Sequence, residues 1–300
     1  MRKVMEWAAV AALAILASCQ QMPEDNVDSR AMVKFSIEAT TLPRSEINGW
    51  VDGVNEDLEM NGEQVKSRAE KEAATRMAFY LLDEEGVQVL NQEKDNSDDE
   101  YMSLYAEVPV GMYQLVAFAH NGNSDVSMDE NAVITPEGKL TDSFVYYQEL
   151  TLDEKSDNSQ SIILDRCVAK FSLAHTDAIP ESAATVEIMV SGAAKVLNAK
   201  TGFGTETDDY TVTFNIPNSA IGTKDNLFSV FVFLTDTESI VDITASTKDA
   251  EGKVLTSYDF EDVEMEVNMQ TVYTGAFFHS DRKTSASINA EWKNNNEQTF

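Results

Sequence analysis

Apolar and polar side chains alternate with a period of two along most of the chain. Val33, Phe35 and Ile37 interleave with Lys34, Ser36 and Glu38, and Met102, Leu104, Ala106 and Val108 with Ser103, Tyr105 and Glu107. The same alternation returns over Tyr210–Ile216 and Val263–Met269. A period of two places successive side chains on opposite faces of a strand, one on a core and one in water. Leu115–His120 and Leu227–Leu234 are apolar on both faces, which predicts central or covered strands. Turn residues separate these runs: Glu84-Glu85-Gly86, Pro109-Val110-Gly111, Asn121-Gly122-Asn123 and Ala250-Glu251-Gly252. Only Gly62–Arg76 has a helical period, with Val65, Ala69 and Ala73 on one thin stripe, and it reads as a surface helix or an ordered loop. Many short strands with little helix predict a mainly β chain built of β-sandwiches.

An internal echo suggests how the strands divide. Val33-Lys-Phe-Ser-Ile37 recurs as Ala169-Lys-Phe-Ser-Leu173, 136 residues later, and a proline and then a serine follow each copy. That spacing equals one medium domain. The expected division is an N-terminal sandwich over 31–164 and a C-terminal sandwich over 165–300. The acidic run Asp153–Gln160 is read as the loop just ahead of the second unit.

The N-terminus breaks the strand pattern. Arg2-Lys3 precedes an apolar run of eleven residues, Trp7–Ala17, too short to cross a bilayer, which takes about 20. A basic start, a short apolar stretch and small residues make a secretory signal. It ends Leu16-Ala17-Ser18-Cys19, the pattern of a bacterial lipobox, in which the cysteine thiol accepts a diacylglycerol and the bond before it is cut. Residues 1–18 are therefore expected to be a lipoprotein signal peptide, Cys19 the lipid attachment point and 19–30 a polar tether. Two or three acyl chains hold a protein on a membrane stably, at about 0.8 kcal/mol per buried methylene. An ordinary signal peptide with a coincidental cysteine is the alternative.

Charge and chemistry narrow the function by exclusion. Lys and Arg number 22 against 52 Asp and Glu, a net charge of −30 that repels phosphate backbones and argues against nucleic acid. Two cysteines, Cys19 and Cys167, cannot build a disulfide framework or a multi-cysteine metal site, and Cys167 reads as a small buried hydrophobe. His120, His175 and His279 sit singly in separate segments without metal-ligand spacing. No nucleophile elbow, phosphate loop or dinucleotide fingerprint occurs, and Gly202-Phe-Gly204 reads as a loop. Asp95–Glu100, Asn121–Asn131 and Asp153–Asn158 are oxygen-rich but lack calcium-loop spacing, so they read as solvated loops. No enzyme, metal or cofactor is expected.

The lipobox, Val33–Ile37, Met77–Gly86, Val108–Asn121, Arg166–Phe171, Thr271–Phe278 and Ser287–Trp292 together resemble the FimB/Mfa-type fimbrillin-anchoring lipoproteins of Bacteroidales-type bacteria. The resemblance implies two tandem transthyretin-like (Greek-key) β-sandwich domains after the signal peptide. It also implies a non-enzymatic anchor or accessory subunit of a fimbria, held in the outer membrane by lipid on Cys19. The implied partners are fimbrial shaft or accessory fimbrillin subunits, joined by β-augmentation, in which an open sheet edge takes a partner strand. A donated strand would fall on the last alternating segment, with Ala286, Ile288, Ala290 and Trp292 on one face; the same strand could instead close its own sandwich. Arg30 and Arg44, which an Arg-directed protease could cut, are read as ordinary surface residues, since an anchor must keep its lipid. The alternative function is a surface glycan-binding lipoprotein, for which Trp50, between Gly49 and Gly53, is the better candidate platform, while Trp292 continues a core pattern.

Overall fold

The structure, a computed structural model, describes residues 31–41, 74–224, 226–279 and 296–299. The signal peptide, Cys19, the tether, Arg30, Arg44, Trp50, the helical pattern up to Ala73 and the segment Ala286–Trp292 lie outside the described residues. Within them the chain is nearly all β, with one 3-10 turn at Asn218–Ala220. The first nine strands are β1 (Met32–Thr41), β2 (Arg76–Leu82), β3 (Gln88–Asp95), β4 (Ser103–Pro109), β5 (Gly111–His120), β6 (Val126–Met128), β7 (Val133–Pro136), β8 (Ser143–Leu152) and β9 (Ser159–Arg166). The others are β10 (Ala169–His175), β11 (Thr185–Asn198), β12 (Phe203–Asn215), β13 (Leu227–Val232), β14 (Glu238–Lys248), β15 (Val254–Glu266), β16 (Gln270–Gly275) and β17 (Asn296–Thr299).

The two halves follow one pairing plan. β1 lies between antiparallel β4 and parallel β9, and β10 lies between antiparallel β13 and parallel β16. Likewise β3-β2-β5-β8 form an antiparallel run, and so do β12-β11-β14-β15. The five-residue echo thus falls on β1 and β10, which hold the same place in each half.

In the first half one seven-stranded sheet, β3-β2-β5-β8-β9-β1-β4, is continuous through a short β8–β9 pairing. Phe35, Ile37, Leu104 and Leu164 from β1, β4 and β9 share a core with Phe79, Leu81, Leu115 and Phe144 from β2, β5 and β8. In the second, Phe171, Leu173 and Val230 meet Val186, Ile188, Ile243 and Phe260. Each such side chain taken fully out of water contributes about 1.5–3 kcal/mol.

A third cluster joins the halves. Tyr80, Leu82, Val116 and Phe118, on the other face of β2 and β5, pack with Ile134 and Leu140 and with Cys167, Val168, Leu197 and Phe233. The excursion between β5 and β8 supplies β6 and β7, and β7 pairs with the far end of β11, Ile134 opposite Leu197. This covering explains why Leu115–His120 is apolar on both faces. Close approach is needed here: a Cβ on Gly204 would fall 2.4 Å from Ala194 Cβ and 2.9 Å from Phe233 Cβ.

Several local expectations are corrected. Of the run Asp153–Gln160, residues 153–158 connect β8 to β9 inside the first half and Ser159 and Gln160 already belong to β9, so a cut there would free β9 from β8 rather than part the halves. The connection from β9 to β10 is Cys167–Val168. Leu227–Val232 is an edge strand, with Phe228, Val230 and Val232 buried and the residues between them partly exposed. Gly202-Phe203-Gly204 turns straight into β12. The alternation also changes phase: a bulge at Ser191–Gly192 separates buried Val190 from buried Ala193, and one at Glu261–Asp262 separates Phe260 from Val263.

Three hairpins share one turn. Asp83, Asp129 and Asp249 each accept, through Oδ1, the N–H groups two and four residues on, at 2.8–3.1 Å. The fourth residue, Gly86, Ala132 or Gly252, has positive φ. Gly252→Ala adds a Cβ that meets nothing within 4 Å, so it is expected to cost only the backbone strain, about 1 kcal/mol. Gly204→Ala overpacks the junction and is expected to cost more, about 2–3 kcal/mol; urea unfolding of the two variants checks the order.

Candidate functional site

The second half ends in an arrangement that its neighbouring strand ends create. β10 and β16 are parallel, His175 opposite Gly275, so both leave the sheet at the same end. Thr176 N–H donates to Gly275 O at 2.8 Å, and the next residue, Asp177, turns its carboxylate onto the chain beyond β16. Its Oδ1 accepts Phe277 N–H and its Oδ2 accepts Phe278 N–H, both at 2.8 Å, while His279 Nδ1 lies 2.6 Å from Oδ2. Burial raises the Asp177 pKa, but bonds from His279, Phe277 and Phe278 outweigh it and hold the carboxyl below its ordinary value. Phe277 and Phe278 are buried, and the Phe278 ring meets the fully buried His175 edge-on at 4.9 Å. His175 in turn places Nδ1 2.7 Å from Asp177 O.

Two of the three histidines expected to stand apart therefore meet at one aspartate. Asp177 was not singled out from the sequence, since its partners lie about a hundred positions away and no spacing announces them.

Beyond this point the outer edge of β16 pairs in parallel with β17, Thr271 opposite Asn296 through Thr274 opposite Thr299. Among the described residues that pairing spans four positions. The sheet order is β13-β10-β16-β17, so the terminal strand closes one edge of a sheet whose centre is β10 and β16.

His120 ends β5 in the joined region. Its Nδ1 accepts Gly122 N–H at 3.1 Å, and burial, reinforced by the Arg76 charge and opposed by Asp125, holds its pKa down to about 4. Cys167 is buried, its thiol donates to Ser143 O at 3.4 Å, and burial pushes the thiol pKa far up. Arg166 crosses between the halves: Nε donates to Asp142 Oδ1 at 2.6 Å and Nη1 to Asn268 Oδ1 at 2.6 Å. Asp95 and Asp153 accept from Ser97 and from Lys155 and Ser156 of their own loops. Among the described residues no group of three or more His, Cys, Asp or Glu could hold a metal ion. The proposed lipid site Cys19 and strand Ala286, Ile288, Ala290, Trp292 lie outside the described residues.

Residues 54–299 match the pattern of a family of unknown function, DUF6562. The chain belongs to that family. No curated protein matches it. Similar solved structures include a candidate adhesin from Bacteroides ovatus, at 13% identity over 83% of this chain and 88% of that one, with a TM-score of 0.47. Another is the fimbrial anchor protein Mfa2 from Porphyromonas gingivalis, at 12% identity over 76% and 83%, TM-score 0.35. A fimbrial assembly protein from Parabacteroides distasonis shares 12% identity over 82% and 92%, TM-score 0.40.

His120 gives a pH test. Its folded pKa lies below the unfolded value near 6.5, so above about pH 6.5 it costs nothing. As pH falls from 6.5 towards 4 the unfolded chain gains a proton that the folded chain refuses, and stability drops by up to about 3 kcal/mol. His120→Asn keeps an acceptor for Gly122 N–H but does not titrate. Its unfolding free energy, followed in denaturant between pH 7 and 4, is expected to fall less steeply than that of the parent protein; equal slopes would contradict the assignment.

Proposed function

We propose that this chain is a non-enzymatic outer-membrane lipoprotein that serves as an anchor or accessory subunit of a fimbria and meets fimbrillin through strand-mediated β-sheet contacts. The observation that carries the reading is the edge of β16. It takes an extended strand in parallel register, and among the described residues its occupant, β17, is paired over four positions. An edge of this kind is the physical requirement for β-augmentation, in which backbone hydrogen bonds give affinity and alternate side chains give specificity. The lipobox at Leu16–Cys19 supplies the membrane half of the role, with two or three acyl chains on Cys19 and a polar tether before β1. The names of Mfa2 and of the Parabacteroides distasonis fimbrial assembly protein agree with this reading.

Glycan binding is the competing function. A sugar platform wants two or three exposed aromatic rings on one face. Among the described residues the large exposed apolar side chains include one aromatic, Tyr105 at 56%. Trp50 would have to carry that reading.

The anchoring role is tested by Cys19→Ala followed by detergent partitioning. The variant is expected to move to the aqueous phase, and its persistence in the detergent phase would show that lipid on Cys19 is not the anchor. Acylated protein is likewise expected to co-purify with detached fimbriae; its recovery free of fimbrillin would remove the fimbrial role.

A further inference from the structure

We propose that the outer edge of β13, Leu227–Val232, is a docking site for an extended segment of another protein, apolar at alternate positions and flanked by Lys or Arg. The site ends the four-stranded sheet on the side opposite β17, and it does not depend on the fimbrial role.

Backbone direction shows which groups of β13 are on offer. Lys170 N–H donates to Met269 O at 3.0 Å and Thr176 N–H to Gly275 O at 2.8 Å, so even-numbered residues of β10 turn their backbone bonds to β16. Ala169, Phe171 and Leu173 therefore bond β13, through their antiparallel partners Val232, Val230 and Phe228. Between these, Ser229 and Phe231 turn their N–H and C=O groups away from β10, to a side where no described strand lies. Phe233 keeps the same phase: its C=O accepts Ala194 N–H at 3.1 Å on that outer side. The molecule thus already pairs this line of backbone just past β13 and leaves it open at Ser229 and Phe231, both partly exposed.

The other described edges longer than three residues are guarded. β3 carries Lys94 and Asp95, β4 carries Glu107 and Pro109, β12 carries Asp208 and Asp209, β15 carries acids about a bulge, and β17 carries Glu297. Charge, proline and bulges keep foreign strands off an edge. β13 has none of them: Asn226 to Thr235 holds no charged residue, in a chain that is 25% charged. Apolar contact is available beside it, since the partly exposed Phe214 meets the Phe228 ring at 5.5 Å. Inward side chains of an added strand would extend the second core there. Net charge decides between occupants. At −30 the body repels a second copy and draws a cationic segment.

The probe is a synthetic peptide, Lys-Thr-Val-Thr-Val-Thr-Val-Thr-Lys, titrated against the full chain and followed by fluorescence anisotropy. Saturable binding is expected, with hydrogen exchange slowed at Ser229 and Phe231 and unchanged at Thr271–Thr274. An added strand bonds through one side of its backbone. N-methylation of one alternate set of peptide amides is therefore expected to weaken binding at least about tenfold, and methylation of the other set much less. Ser229→Pro removes an outward N–H without breaking a bond to β10, and the same loss is expected while Val186–Val190 stay protected from exchange. Should that variant fail to fold, the methylated peptides decide the matter on the parent protein. The proposal is overturned by absence of saturable binding, by equal loss from both methylation sets, by protection centred on 271–274, or by equal binding of a Glu-flanked peptide. A dimer of the parent chain in sedimentation that Ser229→Pro dissolves would give the edge to a second copy and overturn it too. A protein that binds the peptide at 229–231 but does not co-purify with fimbriae keeps this site and loses the fimbrial role.

Discussion

Tyr80 and Phe118 point away from the first core, yet each is only 1% exposed, because the second half and the β6–β7 excursion cover them. A sheet whose two faces are both apolar cannot stand in water, so the β2–β5–β8 layer requires a partner on each side. The partner on one side is the β1–β4–β9 layer. The partner on the other is the junction, built from Cys167, Val168, Leu197 and Phe233. This requirement fixes where the halves meet, and it accounts for the small residues and polar bonds found there. Gly204 lets β12 pass close to Ala194 and Phe233, and the Tyr210 hydroxyl accepts Leu140 N–H at 2.8 Å. Arg166, stacked 4.8 Å over Phe144, satisfies Asp142 at the margin of the same cluster, where removal of either partner would leave a partly buried charge alone.

Much of this was legible in the sequence, for a physical reason. One-sided strands announce themselves because each residue's surroundings repeat every second position, and Val33, Phe35 and Ile37 are buried as their pattern requires. The two-sided strand Leu115–His120 was legible too. What alternation hides is a change of phase. Phe260 and Val263 both face the core across an odd interval only because Asp262, at a φ of 54°, absorbs a residue in a bulge. It also hides which apolar run is an edge. Leu227–Leu234 looks central by composition, but β13 ends its sheet, its partly exposed residues being half covered by their surroundings. The Asp177 grip was illegible for a third reason: besides the His279 ring, about a hundred positions away, its partners are backbone N–H groups, which carry no sequence signal.

The acidity of the chain bears on its exposed edges. A sheet edge with free N–H and C=O groups invites another strand, and proteins commonly guard such edges with charge. Here a net charge of −30 makes two copies repel, so self-association through like edges is opposed over the whole surface instead of at one gatekeeper residue. Repulsion of that kind is screened beyond about 8 Å at physiological ionic strength, so it governs approach more than final contact.

That distinction separates a wanted strand from an unwanted one. A second copy brings its whole negative surface to the edge of β16, whereas an extended segment from another protein brings only a few side chains and a neutral backbone. Under the proposed contact, β17 would compete with such a segment through the same backbone groups, and a strand with apolar residues in alternate positions would gain what the sequence Asn296–Thr299 lacks. Selectivity at this edge would then rest on length and on alternating apolar side chains. The charge of the body opposes the approach of a second copy, while among the described residues β17 occupies the edge through backbone pairing over four positions.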